Sequence, residues 1–194
     1  MSRIRCFVAA ALPESTREQL GALQSRLKRA GLAARWVRPE ALHLTVKFLG
    51  ELTPDSFDRV AEQLARPLDC AGPLRLTPRG VGTFPPGSRA RVVWAGLEGD
   101  MVALAGLAQA VEARLQRCGI AREERPLQPH LTLGRSTRLG GLGNVTEILQ
   151  AESGFEAPRF AVRELVLYES RLRSQGPNHV PRLSLPLSDD PFPG

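Results

Sequence analysis

The chain has 194 residues, of which 42% are hydrophobic and 24% charged, the composition of an ordinary globular protein and not of a disordered one. No apolar run approaches the roughly 18 residues that a membrane span needs, and the opening "MSRIRCFVAAALPE" turns polar too soon for a signal peptide. The formal net charge of +6 fits a polyanionic partner such as nucleic acid, but 24 of the 26 basic residues are arginine, which equally suits a compositional bias. Along the chain, residues 4–13 form a short apolar run stopped by proline and predict a strand. Residues 13–31 predict a helix with Leu20, Leu23 and Leu27 on one face, capped by Ser15 or Thr16 and ended by Gly31. A strand over 42–50, a helix over 53–68 and a strand over 74–84 follow. The same order then returns: a strand over 91–99, a helix over 100–119 ending in Gly119, a strand over 130–135, a helix over 142–153 and a strand over 158–170. A last strand over 179–187 precedes a frayed tail.

The helix ends "KRAGLA" (28–33) and "QRCGIA" (116–121) support an internal duplication, roughly 3–84 and 90–170, within one domain spanning 1–194. A unit this long, present twice, is no solenoid. It predicts two related lobes facing each other. The three cysteines, Cys6, Cys70 and Cys118, are odd in number and widely spaced, which argues against a disulfide framework and a zinc knuckle and favours a cytoplasmic location.

Two of the three histidines lie in the same tetrapeptide, "HLTV" at 43–46 and "HLTL" at 130–133, one in each repeat. On a strand, side chains alternate between faces. His43, Thr45 and Lys47 then share one face, with Leu44, Val46 and Phe48 on the other; His130 and Thr132 pair likewise, with Leu131 and Leu133 buried. Lobes related by a pseudo-twofold would aim both imidazoles into one cleft. In-line hydrolysis of a phosphodiester needs that geometry, a base on the side of attack and an acid on the side of departure. Histidine serves in either form near neutral pH. The hydroxyls of Thr45 and Thr132 are placed to bind non-bridging phosphate oxygens.

These motifs, with "HLTVKFLGE" (43–51), "RARVVWAGL" (89–97) and "PHLTLGR" (129–135), resemble the two-histidine phosphoesterases and, within them, the RNA 2′,3′-cyclic phosphodiesterases, also called 2′-5′ RNA ligases. The resemblance covers nearly the whole chain. It implies a bilobal α+β fold, with two antiparallel sheets lining a central cleft and helices outside. It implies metal-free, cofactor-free opening of a terminal 2′,3′-cyclic phosphate to a 2′-phosphate, with His43 as proton donor and His130 as proton acceptor. Relatives often carry Tyr where this chain has His179, which is a further candidate substrate contact.

Further candidate substrate contacts are Lys47, as a point cation on the His43 face, and Arg135, which a bulge at Gly134 would turn toward His130. Phe84 is a candidate base-stacking residue on a Pro/Gly loop, followed by Arg89 and Arg91 as phosphate contacts. The expected partner is RNA, bound by a monomer away from any membrane. Isolated histidines, with no H-x-H or H-E-x-x-H cluster, disfavour a metal-dependent phosphodiesterase. Ligation at the same site and an inactive RNA-binding module remain the alternatives.

Overall fold

The computed structural model describes residues 3–68, 72–87, 89–136, 141–142, 145–173 and 176–187. Its elements run β1 (Ile4–Ala11), α1 (Glu14–Arg29), β2 (Arg35–Trp36), a 3-10 turn (Pro39–Ala41), β3 (His43–Leu52), α2 (Pro54–Leu64), β4 (Leu74–Phe84), β5 (Val92–Gly99), α3 (Met101–Gln116), β6 (Leu131–Arg135), α4 (Thr146–Ala151), β7 (Phe160–Val162), β8 (Glu164–Arg173) and β9 (Gly176–Pro186). The predicted order holds, with three differences. The strand expected over 158–170 is broken at Arg163 into β7 and β8. The two-residue β2 carries no periodicity from which it could be read. The start of α1 is set by Pro13 at the N-cap position without a side-chain cap, so neither Ser15 nor Thr16 caps it; Thr16 is buried instead. Cys70 and the tail 188–194 lie outside the described residues. No described helix is long and apolar enough to cross a membrane.

The strands form one sheet rather than two separate ones, in the order β7-β4-β5-β6-β3-β1-β8-β9, with β2 on β6. Every named pairing is antiparallel. Its two halves meet where β3 pairs β6 at Leu44 and Leu131. The lobes are therefore not the sequence repeats. Strand β4 closes the first repeat yet pairs with β5 of the second, and β8 closes the second yet pairs with β1 of the first. The repeats have exchanged their last strands, which ties each lobe to both halves of the chain.

Helices cover one face of the sheet. Leu20, Leu23 and Leu27 of α1 and Leu104, Leu107, Val111 and Leu115 of α3 are fully buried, at helical spacing, against the inward residues of β1, β3, β5 and β6. Gln24 of α1 is a polar pin in this layer. Its amide donates to the carbonyls of Val37 and Leu133, both at 2.8 Å, which locks β2 and β6 beneath the helix. The opposite face of the sheet is left for the cleft.

Candidate active site

Strict alternation fails at the same place in both histidine strands. Along β3, Ala9 of β1 pairs with Thr45 and Val8 with Lys47, so Val46 is an extra residue. Along β6, Trp94 of β5 pairs with Thr132 and Val93 with Gly134, so Leu133 is extra. Each β-bulge sits three residues after its histidine and reverses the facing of the residues that follow, until a second shift on β3 at Leu49 reverses it again. His43 and Thr45 face the cleft, and Phe48 joins them; His130 and Thr132 face it, and Arg135 joins them. The bulge predicted near Gly134 is thus present, centred on Leu133, and brings Arg135 into the cleft. Gly134 also sits at a close approach. A Cβ there would lie 3.1 Å from both the Trp36 ring and the Ala34 Cβ, so any larger residue would push β2 back by a few tenths of an ångström.

The same bulge corrects the reading of Lys47 and Phe48. Lys47 is on the helix side, 7% exposed. Its ammonium donates to Glu112 of α3 at 2.8 Å and to the Ala121 carbonyl at 3.1 Å. It cannot reach a phosphate in the cleft. Phe48, expected in the core, is 59% exposed on the cleft face.

Both histidines are held alike. The ring of His43 donates Nδ1–H to the Ala41 carbonyl at 2.7 Å, and that of His130 donates Nδ1–H to the Gln128 carbonyl at 2.7 Å. Carbonyl oxygens only accept, so each Nδ1 carries its proton and each Nε2 is left for chemistry. The clamp comes from the residue two before the histidine in both repeats. Antiparallel pairing about Leu44 and Leu131 puts His43 on the Thr132 side and Thr45 on the His130 side. Each imidazole therefore has the other motif's hydroxyl beside it, across a local twofold. Neither threonine hydroxyl has a partner among the described residues.

The cleft has a volume of about 610 Å³, in the range of small-molecule sites. It is lined by His43, Thr45, Phe48, His130, Thr132, Arg135 and His179, together with Arg5, Phe7, Arg35, Trp36 and Arg38. No described carboxylate lines it. Phe7 supports His43, with ring centroids 4.8 Å apart, and stacks on Tyr168 at 5.3 Å. Phe84 meets the edge of His130 at 5.0 Å and lies 5.1 Å from Trp94, at an adjoining groove beyond the cleft wall. Arg89 and Arg91, both exposed, line neither cavity.

His179 is on β9, opposite Ser170 of β8, and its ring lies 5.1 Å from that of His43. Its Nδ1 is buried without a hydrogen-bond partner among the described residues. Burial, then the charges of His43, Arg38 and Arg5, lower its pKa from the usual 6.5 to about 4. Burial likewise lowers the pKa of His43, opposed by its bond to Ala41 and aided by Arg135 and His130. Burial and the neighbouring Arg5 lower that of Arg135. No group of three or more His, Cys, Asp or Glu residues suited to a metal ion occurs among the described residues.

Sequence reasoning found the two motifs but missed Arg5, Phe7, Arg35, Trp36, Arg38 and the facing of Phe48. Arg5 and Phe7 alternate on β1 with the core residues Cys6 and Val8, a signal available in the sequence once that strand is known to border β3. The others depend on β2 and the bulge, which leave no periodic trace.

Comparison with known proteins places the chain in a family. The family model described as LigT-like phosphoesterase matches residues 11–94 and 100–178. An RNA 2′,3′-cyclic phosphodiesterase of Methanothermobacter thermautotrophicus is 30% identical over 175 residues, covering 90% of this chain and 94% of its own length. One of the same name from Thermus thermophilus is 33% identical over 181 residues, covering 90% and 85%. The crystal structure of apo LigT from E. coli superposes with a TM-score of 0.77 at 27% identity, covering 97% of this chain and 99% of that one. The complex of E. coli LigT with 3′-AMP gives 0.75 at 28% identity, covering 96% and 99%. Two bulged histidine strands, clamped alike and facing one cleft, belong to a chain that is a member of the LigT-like phosphoesterase family.

Proposed function

We propose that the chain hydrolyses the 2′,3′-cyclic phosphate at an RNA end to a 2′-phosphomonoester, using His43 as acid and His130 as base. The observation that supports it best is the matched pair of Nδ1–H clamps on adjacent strands, which leave two Nε2 atoms for one cleft. Names of relatives at about 30% identity point to the same substrate.

In this reading His130 Nε2 takes a proton from water as its oxygen attacks phosphorus. The P–O3′ bond breaks, and His43 Nε2 delivers its proton to the departing oxygen. The product carries a 2′-phosphate and a free 3′-hydroxyl. Thr45 and Thr132 donate to the non-bridging oxygens, where charge grows in the transition state. His43 must be protonated to act, and burial opposes this in the empty cleft. The negative phosphate offsets that penalty on arrival.

The test is turnover of an RNA oligonucleotide with a 2′,3′-cyclic phosphate end, with the product's phosphate position read by phosphorus NMR. A 2′-phosphomonoester is expected, formed equally in excess chelator, with losses of about 10²–10⁴-fold on replacing either histidine by Ala. A 3′-phosphomonoester would reverse the leaving-group assignment. No turnover would leave the cleft an RNA-binding site.

A further inference from the structure

One side of the cleft carries more positive charge than a single cyclic phosphate uses. Arg35 of β2 and Arg135 of β6 are direct cross-strand partners and share the cleft face. Like charges placed opposite each other destabilise a sheet. Among the described residues neither makes an ion pair, and no described carboxylate lines the cleft. Arg5 of β1 and Arg38, at the N-cap of the 3-10 turn, border the same region, also without ion pairs. Glu51 faces Arg5 across β1 and β3 but forms no ion pair with it. The wall is firmly built. Trp36 packs on Gly134, and Val37 donates its N–H to the Leu133 carbonyl at 2.9 Å.

The place of these guanidinium groups in the cleft gives them a purpose. Strand β6 runs from His130 through Thr132 to Arg135, away from His130 and toward the His43 side. The leaving 3′ oxygen is on the His43 side, and so is the ribose that carries it. The next anion along the nucleotide is the phosphate on its 5′ oxygen.

We propose that Arg35, Arg135, Arg5 and Arg38 form a second anion subsite, which binds the 5′-phosphate of the terminal nucleotide, and that the preferred substrate is therefore a cyclic-phosphate end with a 5′ phosphodiester. The inference rests on the proposed acid and base assignment. Planar guanidinium groups fork onto phosphate oxygens better than ammonium groups do, which suits an arginine-built subsite.

The experiment compares kcat/KM for four substrates on the intact chain. They are a 2′,3′-cyclic mononucleotide, the same nucleotide with a 5′-phosphate, a dinucleotide with a cyclic end, and that dinucleotide with a neutral methylphosphonate linkage. The dinucleotide is expected to exceed its methylphosphonate counterpart by about tenfold or more, the worth of one charge-assisted hydrogen bond. The 5′-phosphorylated mononucleotide should exceed the plain one similarly, since it offers the same anion without a chain. Arg35→Gln should shrink both ratios toward one, and a ratio cancels any general loss of activity. Equal kcat/KM for charged and neutral linkages in the parent protein would overturn the subsite, whatever the variant does. Turnover of the plain cyclic mononucleotide reports on the proposed function separately.

Discussion

Replacing His179 by Phe should flatten part of the acid response of stability. In the native protein burial and three nearby positive or ionisable groups hold this imidazole at a pKa of about 4. In the unfolded chain it titrates near 6.5. Between these values the unfolded state binds a proton that the native state does not, so native stability falls as pH is lowered and is fully retained above 6.5. The slope stays below about 1.4 kcal/mol per pH unit, and because this ring is only half buried, solvent screening holds the loss near pH 4 to about 1–2 kcal/mol. Phenylalanine keeps a ring against Phe7, now 4.9 Å away in an edge contact, and removes the buried Nδ1 that has no partner. His43 is depressed in the same direction, but it titrates in both proteins and largely cancels in their difference. Denaturant titrations at pH 7, 6, 5 and 4 measure that difference. The variant should gain on the parent steadily below pH 6.5 and not above it. Parallel curves across the range would show that His179 is solvated and titrates normally, refuting the burial argument.

Three more outcomes are expected. The profile of kcat/KM against pH should be bell-shaped, with both apparent values belonging to the imidazole pair. A profile with a single limb would show that the two imidazoles do not act as an acid and base pair. Lys47→Met should cost about 1–3 kcal/mol of stability by leaving Glu112, 17% exposed, with only the Glu123 N–H as partner, while cyclic mononucleotide turnover stays that of the parent. Lost turnover at unchanged stability would return Lys47 to the cleft. Thr45→Val and Thr132→Val should each slow kcat by about 10- to 10³-fold with an unchanged melting temperature, read by steady-state kinetics and calorimetry; parental rates would make both threonines structural.

Periodicity and duplication were enough to reveal the element order and the pairing of two H-x-T motifs, because both are local or simply repeated. Leu20, Leu23 and Leu27 lie on one face of α1 for the reason that their spacing predicts. His43, Thr45, His130 and Thr132 share a cleft because alternation holds over the two residues that separate each pair. It holds no further. The extra residues Val46 and Leu133 exist only relative to a partner strand, and a bulge has no signature in one strand read alone. That is why Lys47 was expected in the cleft and Phe48 in the core, and why Arg135 needed a conditional bulge. The exchange of β4 and β8 between the repeats is hidden for the same reason, since strand pairing over this separation is decided by which faces can be buried together. The composition announced an excess of arginine. Only the docking of β2 on β6 determined that Arg35 and Arg135 stand side by side without a counter-charge, because that proximity joins residues a hundred positions apart.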